Sequence, residues 1–440
     1  MRILWLCNII PPMIAEALKL PASNKEGWIS GLLEEWRQHS ADGDMELGIC
    51  FPLAPRSIPD EVLNELSCER AIPLAGETQG IHYYGFFEDT VRPEYYDVDL
   101  EKQLTHILNS FDPHLVHVFG TEYPHALAMA KCIGGRRLLV GIQGLCSRIA
   151  DCYGAGLPKR IQRRYLLRDL LKGDNIARQQ KKFMRRGEME VRCLQLAPHV
   201  TGRTAWDRAA VKEINPAAGY YAMNETLRPE FYGACWKRED CETYSIFLSQ
   251  GNYPLKGLHL LLEALPRIKE RYPRVKVYVA GDVITRYETL KEKLKIGSYG
   301  QYCLKLINHL GLKDTVCFVG RLNSEEMRNR YLQSHVFLSA SVLENSSNSV
   351  GEAMLLGMPV VSSDVGGISS LLTDKKEGFL YPCMDREALA EAICKMFADD
   401  ACAAECGRLA RERALKTHDP IRNYERLLEI YDALCKEERS

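Results

Sequence analysis

The chain has 440 residues, 57 Lys and Arg against 58 Asp and Glu, and a formal net charge of −1. It is too long for one ordinary domain, and its near-neutrality excludes a general polyanion binder. Its 16 cysteines include no Cys-x-x-Cys pair, and neither Cys235/Cys241 nor Cys402/Cys406 has a nearby His to complete a zinc set; they read as small buried hydrophobes in a reducing compartment.

Met1 to Cys7 is apolar only briefly before Asn8 and Pro11-Pro12, which predicts a first buried strand rather than a signal peptide. No run approaches the roughly 18–20 apolar residues of a membrane span, so a cytoplasmic protein is expected. A helix is predicted over 29–37, with Gly27 and Trp28 in the loop before it. Further strands are predicted at 45–50, 115–119, 138–142, 200–202 and 219–223. In open α/β sheets, ligands gather beyond the carboxyl ends of strands. That rule singles out Glu122 and His125 after the strand at 115–119, and Arg203 starts a helix at the end of the strand at 200–202. His117 lies inside a strand, where a core role and a site role both stand open. Arg203 suits either a phosphate or an ion pair.

Two Asp-x-Asp triplets occur. Asp42-Gly43-Asp44 precedes a strand in a Gly-containing turn, and Asp97-Val98-Asp99 leads into a helix, where Asp is a good cap. Neither ends an apolar strand as a metal-holding triplet would, and no metal is expected. Between Lys159 and Arg186 stand eleven Lys or Arg against two Asp. One helix is predicted from Pro158 to Gly173 and a second behind Asp174 or Asn175. This stretch suits either a solvated basic face or attraction to an anionic membrane surface, worth about 1 kcal/mol per basic residue. No aromatic stacking platform accompanies it, so no nucleic acid is expected.

Residues 226–243, with Pro229 and no clear period, read as a linker. Beyond it, strands predicted at 245–249, 275–280, 315–318, 336–339 and 360–362 alternate with helices at 258–268, 324–334 and 386–397. The pattern implies two doubly wound α/β domains, 1–225 and 244–418. His418-Asp419-Pro420 breaks the chain, and an amphipathic helix over 421–437 is expected to return to the first domain. No GxGxxG follows a strand, which argues against a dinucleotide cofactor.

Glu344 and Glu352 lie eight residues apart, separated by the polar run Asn345-Ser346-Ser347-Asn348-Ser349 between an apolar strand and a helix. A strand that feeds a helix through such a run leaves backbone N–H groups facing outward, ready for an anion. The two carboxylates suit the two ends of an extended ligand whose diphosphate lies on those amides.

Several segments of the second half resemble, in order, the retaining nucleotide-sugar glycosyltransferases of the "group one" (family four) type. They are Gly251-Asn252-Tyr253-Pro254-Leu255-Lys256-Gly257, Val279-Ala280-Gly281, Phe318-Val319-Gly320-Arg321, Glu344 to Glu352, and Gly357-Met358-Pro359-Val360-Val361 with Val365-Gly366-Gly367. The resemblance implies a GT-B fold, two Rossmann-like domains facing a central cleft, with the nucleoside diphosphate sugar, a UDP-sugar first of all, in the C-terminal domain. It implies ribose binding by Glu352, contacts from Glu344 to the transferred sugar, and pyrophosphate on the amides of Asn345, Ser346, Asn348 and Ser349. Lys256 would neutralise the charge growing on the leaving phosphate, while Gly251, Gly281, Gly366 and Gly367 shape the donor pocket. The family's usual Arg shortly before the lysine is missing. Asn252 can hydrogen-bond phosphate without supplying charge, and Arg321 suits either a spatial replacement or a structural ion pair.

In the first half, the resemblance puts Gly27 beside the donor phosphates, with Trp28 lining the cleft and Glu122, His125 and Arg203 on its acceptor side. Gln143 stands where many relatives carry His, and Gln cannot act as a general base. The class is described with front-face attack, in which the departing phosphate takes the acceptor's proton, so no protein base is required. The implied activity is metal-independent transfer, with retention, to a glycan or polyprenyl-linked acceptor in surface polysaccharide or glycoconjugate synthesis, at the inner face of the plasma membrane. The rival readings are a sugar-nucleotide epimerase or hydrolase of the same fold, and a catalytically weak nucleotide-sugar-binding partner subunit.

Overall fold

The computed structural model of the chain describes residues 1–20, 27–39, 45–54 and 73–437 and forms two compact units. The triplet Asp42-Gly43-Asp44 lies outside the described residues. The first unit contains Met1–Arg148, Lys182–Thr226 and the chain from Asp419; the second contains Ile149–Lys181 and Leu227–His418.

The first unit is built on eight strands, β1 Arg2–Cys7, β2 Glu46–Leu53, β3 Leu74–Thr78, β4 Ile81–Phe87, β5 Leu115–Phe119, β6 Leu138–Gly141, β7 His199–Gly202 and β8 Gly219–Ala222. They lie in the order β3-β4-β2-β1-β5-β6-β7-β8. All neighbours are parallel except the hairpin β3–β4. Strands covered on both faces read as continuous apolar runs, and β1 is such a run. Leu4 and Leu6 face one core with Leu104 and Val118, while Ile3 and Trp5 face the other with Trp36 and Phe119. The final helix, Pro420–Glu437, belongs to this second core through Tyr424, Leu427, Ile430, Tyr431 and Leu434. Trp5 Nε1 donates to Tyr431 Oη over 2.9 Å, and the same hydroxyl meets His117 Nδ1 at 2.8 Å. His117 is therefore a core residue, and burial holds its pKa down at about 3.

The second unit has six parallel strands, β9 Glu242–Leu248, β10 Lys276–Ala280, β11 Val316–Gly320, β12 Ser334–Ser339, β13 Val360–Asp364 and β14 Phe379–Pro382. Their order is β11-β10-β9-β12-β13-β14. The segment expected to be a linker packs into this unit from Leu227 onward. Leu227, Phe231 and Trp236 are buried in its core, Trp236 N donates to Leu356 O at 2.7 Å, and Trp236 Nε1 donates to Ser334 O at 2.8 Å.

The basic stretch also differs from expectation. Residues 149–181 pack with the second unit, not with the N-terminal half. The helix predicted from Pro158 to Gly173 is two short ones, Lys159–Gln162 and Leu167–Lys172. The longer helix Ile176–Leu196 follows, with Asn175 Oδ1 accepting from Arg178 N at 2.9 Å as its cap. No helix among the described residues is long and apolar enough to cross a membrane.

Candidate active site

In the second unit the strand order reverses between β9 and β12, and the loops leaving those two strands border the crevice where α/β sheets bind ligands. Two glycines lock these loops together. Gly257, with φ +68°, ends the turn Pro254–Lys256, and a side chain there would drive into the Ala340 carbonyl oxygen. Val342 N donates across the same junction to Leu255 O at 2.8 Å. Gly366, with φ +55°, lies so close to the Glu344 carbonyl that a Cβ would collide with it, and Gly367 N donates to Glu344 O at 3.0 Å.

These joints bring Lys256 and Glu344 together, Nζ to Oε1, at 2.5 Å. Ser341 Oγ donates to the same carboxylate oxygen at 2.6 Å. Burial works against the Lys256 ammonium, but Glu344 and Tyr253 outweigh it and hold the lysine's pKa above its ordinary value. A permanently charged amine thus stands at the crevice. Glu344 lies in the loop, and the helix Asn348–Leu355 begins just behind it with Ser347 as N-cap. Gly351 N donates to Ser347 O at 3.0 Å, so the amides of the preceding turn have no partner within the helix. Ser347 Oγ and Ser349 Oγ lie 3.2 Å apart at this end. Asn345 is buried, and Ser346 and Asn348 are half-buried.

Glu352 sits on that helix, buried. Burial raises its pKa, and Arg228 opposes the rise. Arg228 Nε donates to Glu352 Oε1 at 2.8 Å and Nη2 approaches the same oxygen at 2.7 Å. Tyr331 Oη reaches Glu352 Oε2 at 3.5 Å. Arg228 is a candidate site residue, through its pair with Glu352, that sequence reasoning missed. It lies 124 positions from its partner, in a segment without periodicity, and no local signal marks it.

Gly251 packs against Val279, and Gly281 N donates to Gly320 O at 2.8 Å, joining the ends of β10 and β11. Arg321 takes the ion-pair alternative. Its Nε and Nη2 reach the two Asp282 oxygens at 2.5 and 3.2 Å, and its side chain is 82% exposed. Asp282, at the adjacent strand end, claims the guanidinium instead of leaving it to replace the missing cation. A cavity of about 680 Å³ opens beside Asn252 and Tyr253, bounded also by Asp282, Arg286 and Ser298. Asn252 Oδ1 is buried without a hydrogen-bond partner, so it is available to a ligand.

In the first unit the order reverses at β1 and β5, and a polar chain lies beyond their ends. Glu88 Oε2 meets His125 Nδ1 at 2.7 Å, and His125 Nε2 meets Asn8 Oδ1 at 2.9 Å. Asn8 Nδ2 donates to Glu122 Oε2 at 3.3 Å, and Gly144 N donates to Glu122 Oε1 at 3.0 Å. Burial raises the Glu122 pKa. Asn8 and Glu88 carried no motif and were not singled out. Arg203 forms a buried ion pair with Glu225 and donates through Nη2 to Gln143 O at 3.1 Å and Oε1 at 3.3 Å. Arg203 and Gln143 share a cavity of about 30 Å³, enough for about one water. Gly27 and Trp28 open the helix Gly27–His39 rather than preceding it; glycine is tolerated at a helix N-terminus. Asp97 Oδ1 accepts from Asp99 N at 3.0 Å at the start of the helix Asp99–Phe111.

Residues 237–413 match the family model described as glycosyl transferases group 1. This part of the chain is similar to the group 1 glycosyl transferases. A phosphatidylinositol N-acetylglucosaminyltransferase gpi3 subunit of Schizosaccharomyces pombe is 25% identical, over 42% of this chain and 37% of the relative. A D-inositol 3-phosphate glycosyltransferase of Corynebacterium urealyticum is 27% identical, over 41% of each. The chain thus spans about two fifths of the length of the curated relatives it matches. Likeness of fold extends over the whole chain. Sucrose-phosphate synthase from Thermosynechococcus elongatus superposes with a TM-score of 0.69 at 16% identity, covering 99% of each chain. Anabaena HepE in complex with UDP gives 0.64 at 16% identity, covering 98% of this chain and 100% of that one. The fold is GT-B, built from two Rossmann-like units.

Proposed function

We propose that this protein is a group 1 glycosyl transferase that moves a sugar from a nucleoside diphosphate sugar, a UDP-sugar first of all, to a glycan or polyprenyl-linked acceptor. Transfer retains the anomeric configuration and needs no metal. The observation that carries the reading is the Lys256–Glu344 pair at 2.5 Å, set before the N-terminus of the helix that bears Glu352. In this reading the donor diphosphate lies on the first-turn amides, where the helix dipole favours negative charge. Lys256, kept protonated by Glu344, meets the charge that builds as the C1–O bond to the phosphate breaks. The acceptor oxygen bonds to C1 on the same face and gives its proton to the departing phosphate oxygen. Glu344 turns its remaining oxygen to the sugar hydroxyls, and Glu352 serves the ribose. Asn252, with its unpartnered Oδ1 on the 680 Å³ cavity, contacts the donor without adding charge. Glu122 and His125, tied through Asn8, offer acceptor contacts. The UDP complex of Anabaena HepE supports UDP as the first donor base to test. The activity would serve surface polysaccharide or glycoconjugate synthesis, on the cytoplasmic side of a membrane.

A panel of uridine, guanosine and adenosine diphosphate sugars tests this, with binding followed by thermal shift and consumption by nucleotide release. The expected result is consumption of one donor class, unchanged after EDTA treatment, with an α-linked product from an α-linked donor by NMR. Donor binding without transfer to any glycan or lipid-linked acceptor would refute it, as would epimerised or merely hydrolysed sugar.

A further inference from the structure

The basic stretch contains a helix whose polarity is inverted. In Leu167–Lys172, Asp169 is 1% exposed, whereas Leu167, Leu170 and Leu171 stand out from the unit, Leu171 at 80%. A surface helix of a folded domain ordinarily buries its leucines and solvates its aspartate. The buried Asp169 is held in place: its carboxylate accepts from Leu166 N at 3.2 Å and from Ser298 N at 3.0 Å. Ser298 opens the helix Ser298–His309, with two residues between it and the end of a second short helix, Leu290–Lys295, whose leucines are likewise outward. No residue of that helix is buried, and Leu290 is 79% exposed with Leu294 beside it one turn on. This second helix is fixed by its own capping box, Thr289 Oγ1 accepting from Glu292 N at 3.2 Å and Glu292 Oε2 from Thr289 N at 3.0 Å. The Asp169–Ser298 bond therefore ties the first helix to the chain just beyond the second, and both helices point leucines outward. Five of the seven exposed leucines among the described residues belong to this pair of helices, so the patch is local and not a general trait of the surface.

The exposed charge around it is predominantly basic, with Glu288, two residues before Leu290, as an exposed exception. Arg163, Lys172, Arg286, Lys291, Lys293 and Lys295 are all exposed on or beside the two helices, while Asp169 is buried and Glu292 is taken up by the cap. We infer that the helices Leu167–Lys172 and Leu290–Lys295 form one docking surface for an anionic lipid bilayer, with leucines entering the interface and lysines and arginines lying on the headgroups. Apolar area supplies insertion, and basic groups supply attraction that fades with salt. A second copy of this chain fits less well, since a twofold contact through this patch would set like charges against each other.

Flotation of the full-length protein with phosphatidylcholine vesicles, with and without phosphatidylglycerol, tests the inference. Binding is expected only to the phosphatidylglycerol vesicles and should weaken as salt rises. The double variant Leu171→Gln/Leu290→Gln should bind about tenfold more weakly even at low salt, and Lys291→Glu/Lys293→Glu should lose both affinity and salt dependence. All four side chains are exposed, so unchanged thermal unfolding is expected and serves as the control. Absence of flotation with phosphatidylglycerol vesicles would overturn the inference. So would equal flotation of the leucine variant, or a concentration-dependent dimer in light scattering that the leucine variant abolishes.

Discussion

Replacing Arg228 by Met would remove the guanidinium, whose Cζ lies 4.7 Å from the Phe231 ring centroid, and with it the two contacts, at 2.7 and 2.8 Å, that hold Glu352 Oε1. Breaking one side of a buried ion pair costs about 3–5 kcal/mol. Because the Arg228 side chain is 18% exposed, the lower end, about 3 kcal/mol, is expected. For a unit of this size, that is a drop of about 6–12 °C in melting temperature. The loss should depend on pH in a definite sense. Burial raises the Glu352 pKa above its ordinary value even in the intact pair, so the group favours the folded state below its unfolded pKa. That contribution is lost as pH rises through the folded one. Removing Arg228 raises the folded pKa further. The variant should therefore match the parent near pH 4.5, where a protonated Glu352 needs no partner, and fall behind progressively toward pH 8. Differential scanning calorimetry from pH 4.5 to 8 measures this. The double variant Arg228→Met/Glu352→Gln should regain most of the loss at pH 8. A deficit equal at both ends of the pH range, or no recovery in the double variant, would refute the reasoning.

Glu344→Gln and Lys256→Ala should each lower donor turnover by about 10²–10³-fold, with melting temperatures within a few degrees of the parent; turnover near the parental level would remove that residue from the site. Gly366→Ala places a methyl group against the Glu344 carbonyl at a left-handed φ, a strain of about 1–3 kcal/mol. It should appear as a fall in kcat larger than any change in the circular dichroism spectrum. His117, held near pKa 3 by burial, contributes stability that is present above pH 6.5 and lost as pH falls toward 3. Urea unfolding should show an acid slope of about 1.4 kcal/mol per pH unit from this group, and His117→Gln should flatten it.

Most sheet strands were legible because they are buried on both faces and so run apolar without interruption, as Val336-Phe337-Leu338 does in β12. The hairpin β3–β4 escaped because β3, Leu-Ala-Gly-Glu-Thr, is polar and half-exposed at a sheet edge. Strand β14 is four residues long and ends in Pro382. Glu344, Glu352 and Lys256 were visible as site candidates through spacing and order. Arg228 was not, because what fixes its role is a tertiary pairing to a helix far along the chain. The same limit applies to Asp169, whose burial depends on Ser298, 129 positions away. Arg321 was visible but ambiguous; only the neighbouring Asp282 decides what its charge meets.

The bond between Trp5 and Tyr431 joins residues 426 positions apart, and this has a bearing on biosynthesis. On the ribosome, the first eight-stranded sheet can assemble long before the final helix emerges. Until then Trp5, Trp36 and Phe119 lack the cover that Tyr424, Leu427 and Tyr431 provide. The first unit to be made is thus the last to be finished, and it must wait, with one face of its sheet only partly covered, while the second unit is translated. During that interval the nascent chain presents an aromatic surface of the kind chaperones hold. Any stop before residue 424 would make the interval permanent.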